Sequence, residues 1–313
     1  MAGISPEKLP EIKESSEIMG KLTKEAAESI GLNPGTPVVN GTSDLAASAI
    51  GSGVLNNEKF HICIGTSGWV AGHAEKRKID LIHYAGCMGS GYPKKYYLAM
   101  AHQETAGICL EWLKNSVLYH KQQLISEAHV HEVYEVLDQL AEEAGPGAKG
   151  LIFTPWMYGE RCPLNDDHVR AGLFNVSLDH NRKHIIRAVF EGIAYNTRWA
   201  METLEKLYRK QDELAIIGGG AKSDIWCQIV ADITNRKIKR VQNPRQSAGT
   251  GAALLASFGL GYIKNFEDIA NYIKYDKYFY PNPDNRELYD RMFKEFKNIY
   301  SQNKNWYKRV NGA

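Results

Sequence analysis

The amino-acid sequence predicts an α/β fold in which helices cover both faces of a sheet. Short apolar segments typical of buried strands alternate along the chain with longer segments of helical periodicity. Three of the predicted strands end in glycine- and hydroxyl-rich turns, near residues 41, 65 and 218. Ligands of such folds gather where strand ends meet loops, so these turns are the first candidates for a functional site.

The first seventy residues predict two helices and two strands. Thr23 can cap a short amphipathic helix that ends at Ile30, because Gly31 favours helix termination. The elements that follow are a strand at 37–39 entering a turn at Asn40-Gly41, a helix of small residues at 45–51, and a strand at 59–64 ending in Gly65-Thr66-Ser67-Gly68.

The rest of the chain continues the alternation. Its most regular element is a long helix at 182–209, in which apolar residues recur at helical spacing from Ile185 to Leu204. A basic stretch at 304–309 follows the last predicted helix and is expected to form a solvated tail. The other predicted elements are helices at 107–118, 132–143, 248–258 and 285–300, and strands at 151–153, 215–217 and 238–241.

Charge and composition narrow the class of partners. The formal net charge is +2, from 38 basic and 36 acidic side chains spread along the chain, which argues against a nucleic-acid-binding face. No apolar segment is long enough to span a bilayer and no signal-peptide core is present, so no membrane partner is expected. The five cysteines form no Cys-x-x-Cys pair and no complete disulfide framework. These features predict a soluble, cytoplasmic protein.

The turn within residues 215–226 carries the strongest indication of a ligand. The strand Ala215-Ile216-Ile217 leads into three consecutive glycines and then into a predicted helix start. Glycines let the backbone approach a ligand closely, and the following helix offers unpaired N–H groups. This is the outline of a nucleotide pocket. Taken alone, the same residues are equally consistent with an ordinary strand-to-helix turn, so the other motifs must decide.

Six motifs that occur in one order along the chain lie at residues 35–44, 64–68, 159–174, 188–195, 218–226 and 248–253. Together they resemble the C-terminal half of the FGGY carbohydrate kinases, most closely the xylulose kinase branch. The resemblance implies an actin-like, ribonuclease-H-like lobe with a mixed sheet flanked by helices. It also implies transfer of the ATP γ-phosphate to a sugar hydroxyl, with Mg²⁺ on the phosphates.

The resemblance assigns roles to individual residues. Asp44, between a predicted strand and a helix, would contact the sugar and act as the base that accepts its hydroxyl proton. The alternative for Asp44 is a helix cap, a common role of aspartate. Nucleotide contacts would come from the residues that match the family's phosphate and adenosine motifs, namely Gly65, Thr66, Gly107, Glu111, Gly219, Gly220 and Asp224.

Other polar residues in or near the motifs are expected to be structural. Glu160 and Arg161 offer a buried ion pair or a contact that closes two lobes. Glu191, on an apolar helix face, is expected to be a hydrogen-bond partner within the core. His102 and His168 have no second ligand at suitable spacing, so we expect polar histidines rather than metal ligands.

The chain departs from the family pattern in two respects. It has no strand followed by Asp-x-Gly-Thr near its start, the loop that would supply the Mg²⁺ carboxylate, so no metal ligand is assigned. Leu45 stands where related kinases place a polar residue that touches a substrate hydroxyl, which leaves xylulose, ribulose, gluconate and glycerol open. The predicted divisions are 1–40, the end of a first lobe; 41–280, the C-terminal lobe; and 281–313, a C-terminal helix and basic tail.

Two functional hypotheses follow. The first is the nucleotide-binding and catalytic-base half of an ATP-dependent pentulose kinase, whose other half is a separate polypeptide or is lost through truncation. An apolar surface left uncovered by that other half is expected to favour self-association. The alternative is a catalytically inactive lobe that serves as a nucleotide-binding or partner-binding module. The expected small-molecule partners are ATP and a sugar. Absence of binding at millimolar nucleotide would favour a partner-binding module.

Overall fold

The structure is a computed structural model that describes residues 5–118 and 130–312. Its strands form one seven-stranded sheet and two separate two-stranded sheets. In chain order the strands are β1 (Ile18–Lys21), β2 (Pro37–Val39), β3 (Lys59–Ile64), β4 (Gly68–Ala74), β5 (Ala85–Gly89), β6 (Tyr97–Gln103), β7 (Ile152–Thr154), β8 (Gly172–Phe174), β9 (Glu213–Ile217), β10 (Lys237–Val241) and β11 (Tyr275–Phe279).

The large sheet is mixed, with the order β11-β10-β9-β3-β4-β6-β5. Strands β10, β9 and β3 are parallel neighbours, whereas β11, β4, β6 and β5 each pair antiparallel. The parallel pairing puts the carboxyl ends of β3 and β9 at the same edge of the sheet. The glycine turns that follow these two strands therefore lie side by side, as the α/β prediction requires.

Helices account for most of the remaining described residues. The predicted helix bounds agree with the structure to within a few residues, except at the C-terminus. The helices are α1 (Lys24–Ile30), α2 (Asp44–Gly51), α3 (Gly107–Trp112, continued by a π-helical segment Leu113–Leu118), α4 (Val130–Ala144), α5 (Arg182–Leu207), α6 (Asp224–Thr234), α7 (Ser247–Gly259) and α8 (Arg286–Asn311), with short 3-10 segments at Gly220–Lys222, Pro244–Gln246 and Phe266–Tyr272.

Helices cover both faces of the large sheet, as predicted. Along β3, alternate side chains point to opposite faces, which is the geometry of an extended strand. Phe60, Ile62 and Ile64 belong to the main core together with buried residues of α5 and α6. Cys63 faces the other way and packs in a smaller cluster with Ile217 and the α7 side of the sheet.

Helices α2 and α7 meet through their backbones. A Cβ added to Gly251 would lie 1.9 Å from the carbonyl oxygen of Ala47, and one added to Gly51 would lie 1.8 Å from that of Ser247. Such distances are far inside van der Waals contact, so only glycine fits at either position. The small residues of both predicted helices are explained by this close approach.

A buried ion pair within α5 is hydrogen-bonded to a tyrosine of α8 and so joins the two helices. The Glu191 carboxylate accepts hydrogen bonds from Arg187 Nε at 2.7 Å, from Tyr289 Oη at 2.9 Å and from the Gly147 amide at 2.8 Å. All three side chains are at least nine-tenths buried. The prediction that Glu191 is a structural hydrogen-bond partner is confirmed.

The C-terminal prediction was wrong. Helix α8 does not end at Tyr300 but continues to Asn311, and thus includes the basic stretch expected to be a solvated tail. Tyr307 supplies the reason, because its side chain is buried in the main core and anchors the last turns. The neighbouring charged residues of the stretch remain exposed on the outer face of the helix.

Two features bear on the compositional predictions. No helix within 5–118 and 130–312 is long and apolar enough to cross a membrane. The five cysteines are free thiols, and all but Cys87 are buried. Burial raises the pKa of the Cys63, Cys109 and Cys227 thiols to about 12, which keeps them protonated and unreactive.

Candidate nucleotide site

The turn between β3 and β4, residues 65–67, is held by the start of α3; we call it the phosphate turn. Three consecutive amides donate to its carbonyls: Ala106 and Ile108 to Thr66 O at 3.0 and 3.2 Å, and Gly107 to Gly65 O at 2.8 Å. A Cβ on Gly107 would lie 2.5 Å from Gly65 O, so the contact requires glycine. The structure thus brings together three of the predicted nucleotide contacts, and it leaves Thr66 exposed.

The glycine turn after β9, residues 218–220, packs against the end of β3. Gly218 has a φ of 93°, a conformation that favours glycine, and its amide donates to Pro244 O at 2.9 Å. A Cβ at Gly218 would lie 2.5 Å from Ile64 O, and one at Gly220 would lie 2.5 Å from Ile64 Cγ2. Ile64 directly precedes the phosphate turn, so the phosphate turn and the glycine turn 218–220 are adjacent. Gly219 lies exposed with nothing within 4 Å of an added Cβ.

Asp224 begins helix α6 at the rim of this turn. Its carboxylate pairs with Arg240 Nη1 at 2.6 Å and with Lys277 Nζ at 2.5 Å. Burial opposes ionisation, but the hydrogen bonds from Lys277 and Arg240 outweigh it, so the pKa of Asp224 lies below its ordinary value. The predicted adenosine contact is therefore a carboxylate already engaged by two cations, with its side chain about half exposed.

A second carboxylate at this rim, that of Asp138, was not predicted from the sequence. Ser223, which caps α6, also donates from Oγ to Asp138 Oδ1 of α4 at 2.8 Å. Burial raises the pKa of Asp138 to about 6, against the opposing hydrogen bond from Ser223. Helix α4 was predicted, but nothing in its spacing links Asp138 to a motif far along the chain. The contact exists only in the folded protein.

Asp44 lies at the start of α2, on the other face of the sheet from α3. The helix cap is Ser43, whose Oγ accepts from the Ala46 amide at 3.3 Å, so capping does not account for Asp44. The Asp44 side chain is exposed, and the one hydrogen bond it accepts within the described residues comes from the Leu45 amide, at 2.8 Å. Leu45 and Trp69, which follows the phosphate turn, pack on one apolar cluster. Asp44 and the phosphate turn therefore each lie within two residues, along the chain, of a side chain on this cluster.

Glu111 occupies the next turn of α3 after Gly107. Its Oε2 pairs with Lys114 Nζ at 3.0 Å and accepts from Asn115 Nδ2 at 3.4 Å. The side chain is partly exposed, so it remains accessible to a ligand. Its role as a nucleotide contact stays a prediction.

Of the two alternatives for Glu160 and Arg161, the ion pair between them is not formed within the described residues, and the contact that closes two lobes stays a prediction. Arg161 Nε instead pairs with Glu104 Oε2 at 2.5 Å, whereas the Glu160 carboxylate is buried and accepts from Asn196 Nδ2 at 2.6 Å. The two neighbouring side chains diverge because one is drawn inward to α5 and the other outward to the loop after β6. Within the part of the chain that the structure describes, neither His102 nor His168 belongs to a group that could hold a metal ion. His102 stacks on Trp69 with ring centroids 6.4 Å apart, and His168 contacts Asp166.

The described residues fit a nucleotide better than a metal ion. The glycines at 107, 218 and 220 mark places where the backbone itself forms the surface, and Gly219 and Thr66 are exposed beside them. No group of three or more His, Cys, Asp or Glu side chains within 5–118 and 130–312 could hold a metal ion. Mg²⁺ takes six oxygen ligands, some of them commonly from water and substrate phosphates.

This mixed sheet flanked by helices is the actin-like ATPase fold. Solved structures of ligand-bound xylulose kinase and of gluconate kinase, both from Lactobacillus acidophilus, align with TM-scores of 0.85 and 0.84 at 27% and 26% sequence identity. Each alignment covers 98% of this chain and 60% of the solved chain. The predicted fold class is confirmed.

Sequence comparison narrows the class to a family. The profile of the FGGY family of carbohydrate kinases, C-terminal domain, matches residues 60–260, and that of the N-terminal domain matches residues 1–51. The xylulose kinase of Bacillus subtilis is 34% identical over 303 residues, and the gluconokinase of the same organism is 27% identical over 311 residues. The chain belongs to the FGGY family of carbohydrate kinases.

The chain matches only part of these relatives. The alignment covers 96% of this chain and 58% of the B. subtilis xylulose kinase, and 99% and 60% for the gluconokinase. The chain therefore spans about three fifths of the length of the curated relatives it matches. The predicted domain boundaries at residues 40 and 280 stay predictions.

Proposed function

We propose that this chain binds ATP and supplies the catalytic base of a kinase that phosphorylates a sugar hydroxyl. One observation carries the proposal: the phosphate turn, the start of α3 and the glycine turn 218–220 lie against one another at one sheet edge. Membership in a family of carbohydrate kinases supports ATP as the nucleotide.

In the proposed complex the phosphates lie at the phosphate turn, against the exposed Thr66 hydroxyl and nearby backbone N–H groups. The adenosine lies against Gly219 and Gly220, with Asp224 at the rim. The amide of Gly107 is already used to hold Gly65, so Gly107 contributes mainly by fixing the turn. Glu111, one helical turn further on, borders the same end of the site.

Asp44 is the proposed base. Phosphoryl transfer depends on positioning and on charge stabilisation, with a carboxylate to accept the proton of the attacking hydroxyl. The exposed Asp44 carboxylate can accept that proton, and its attachment to the first turn of α2 fixes its direction. Mg²⁺, when bound with ATP, would neutralise phosphate charge; within 5–118 and 130–312 no group of three or more His, Cys, Asp or Glu side chains could hold it without the nucleotide.

The proposed acceptor is a pentulose such as xylulose. Xylulose kinases are the more similar of the two named relatives, at 34% against 27% identity for the gluconokinase. Leu45 beside the base cannot hydrogen-bond a substrate hydroxyl, so recognition of the sugar's hydroxyls must come from other residues. We propose that these belong to a first lobe, which also closes the site and excludes water.

Nucleotide titration tests the proposal. Isothermal calorimetry of the chain with ATP and with ADP is expected to give saturable binding, and Gly220→Ala is expected to weaken it. No heat at millimolar nucleotide would contradict the nucleotide site and favour the partner-binding alternative. Mixing the chain with a candidate first lobe and following ATP-dependent phosphorylation of xylulose, ribulose, gluconate and glycerol then identifies the acceptor.

A further inference from the structure

Glu160 is a fully buried acidic residue beside the candidate site. The proposed phosphoryl transfer assigns it no role. It follows Gly159, whose φ of 83° and contact with Asp167 leave no room for a side chain. One carboxylate oxygen, Oε1, accepts from the amides of Glu104 at 2.8 Å and Arg161 at 2.9 Å. The other, Oε2, accepts from Asn196 Nδ2 at 2.6 Å.

Burying such a group is unfavourable unless its oxygens are hydrogen-bonded. Burial raises the pKa of Glu160 to about 8, against the opposing hydrogen bonds from the Glu104 amide, Asn196 and the Arg161 amide. Asn196 is itself fixed, because its Oδ1 accepts from Trp156 Nε1 at 3.2 Å. Glu160 and Asn196 both lie in the core, so the Glu160 carboxyl group is a rigid acceptor for the Glu104 amide.

The Glu104 amide belongs to the segment that links β6 to the first residue of α3, residues 104–107, which we call the 104–107 connection. Two further contacts fix this connection. Thr105 Oγ1 donates to the carbonyl oxygen of Pro155. The Glu104 carboxylate pairs with Arg161 Nε at 2.5 Å on the outer side. The connection is therefore held from the core side and from the surface by the segment that contains Glu160.

The same connection ends in the amides that hold the phosphate turn. Ala106 and Gly107 donate to Thr66 O and Gly65 O, and Ile108 donates to Thr66 O as well. Glu160 is thus connected to the phosphate turn by hydrogen bonds at both ends of the backbone of residues 104–107. The glycine turn 218–220, which is proposed to hold the adenosine, contacts Ile64 and Pro244 instead.

We propose that Glu160 is a positioning residue for the phosphate end of the nucleotide site, acting through the 104–107 connection and not on the adenosine end. This inference rests on the proposed nucleotide site. A general structural role would affect the binding of all ligands alike. Loss of the contact between Glu160 and the Glu104 amide should instead weaken the binding of ligands that carry phosphates and leave adenosine binding unchanged.

The test is the ratio of ADP affinity to adenosine affinity, measured by calorimetry or by competition on the whole chain. Glu160→Gln leaves one acceptor oxygen, so an NH₂ group must face either Asn196 Nδ2 or the Glu104 and Arg161 amides; in either orientation a donor faces a donor and the tie is weakened. Thr105→Val keeps the side-chain volume and removes the second tie of the connection. Glu191→Gln is the matched control, since Glu191 is equally buried but joins α5 to α8. We expect the ratio to fall about tenfold in the first two variants, and to stay unchanged in the control.

Each outcome is decisive. An unchanged ratio in Thr105→Val, with the native circular dichroism spectrum, overturns the positioning role even if Glu160→Gln fails to fold. An equal fall in Glu191→Gln overturns it as well, because the effect would then report general loosening of the core. If the unaltered chain binds neither ADP nor adenosine, the proposed nucleotide site itself fails, which is a result distinct from either of these.

Discussion

The Gly107 amide donates to the Gly65 carbonyl over 2.8 Å, and no side chain fits at Gly107. The two glycines come from separate motifs, one at the end of β3 and the other at the start of α3. Their contact brings the end of β3 and the start of α3 together in one surface. It predicts that nucleotide binding requires the phosphate turn to be held in this position.

Gly107→Ala should displace the phosphate turn, because the new Cβ would lie 2.5 Å from Gly65 O. We expect ADP affinity to fall by about tenfold or more, equivalent to about 1.4 kcal/mol. Calorimetry measures it. Gly89→Ala is the control, since a Cβ there meets nothing within 4 Å and β5 lies at the edge of the sheet. Native ADP affinity in a folded Gly107→Ala protein would contradict the assignment.

Asp44→Asn should remove catalysis and leave nucleotide binding intact. The amide can still accept from the Leu45 amide, so the start of α2 is preserved. In the assay with a first lobe, we expect sugar phosphorylation to fall by roughly 10²–10⁴-fold, the usual range for loss of a general base. ADP affinity should not change. Phosphorylation that survives the substitution would exclude Asp44 as the base.

Gly251→Ala should destabilise the protein, because its Cβ would lie 1.9 Å from Ala47 O in α2. Forcing the two helices apart is expected to cost about 1–3 kcal/mol in the free energy of unfolding. Gly249→Ala, in the same helix, is the control, because a Cβ at Gly249 meets nothing within 4 Å. This substitution should raise the free energy of unfolding by at most about 1 kcal/mol. Urea denaturation gives both values, and equal effects at the two positions would refute the backbone contact.

Asp138 should make stability depend on pH. Its folded-state pKa of about 6 exceeds the ordinary value of 3.8, so the folded protein binds this proton more tightly than the unfolded chain. Ionisation therefore lowers the free energy of unfolding as pH rises from 3.8 to about 6, with no further loss from this group above that range. Asp138→Asn keeps an acceptor for Ser223 and should remove this part of the slope. Parallel pH profiles of the two proteins in urea denaturation would argue against it.

Local patterns predicted the helices and the central strands well. Helix α1 begins and ends where Thr23 and Gly31 indicated, because a cap and a helix stop are encoded in single residues. Strands β1, β4, β5, β6, β8 and β11 were missed. In β4, β5 and β6 the glycines, alanines and scattered polar residues show no clean alternation of apolar and polar positions. They form strands because each finds a neighbour in the sheet, β4 on β3, β6 on β4 and β5 on β6.

The site was predicted to the extent that its residues lie in contiguous motifs. Gly65, Thr66, Gly107 and Gly220 converge as expected, since each belongs to a strand end or helix start that the topology brings to one edge. Asp138, Asn196 and the Glu104–Arg161 pair could not be found in this way. Each depends on a partner far along the chain, and the partner is known only once the helices have packed.

The backbone contact between α2 and α7 connects two parts of the proposed site. The Gly218 amide is bonded to Pro244 O, Pro244 leads within three residues into α7, and α7 touches α2 with no side chain between them. Asp44 is the first residue of that same helix. The turn proposed to hold adenosine and the carboxylate proposed to take the proton are thus connected through α7 and its direct backbone contact with α2. We therefore expect the distance between them to change little when the proposed sugar binds.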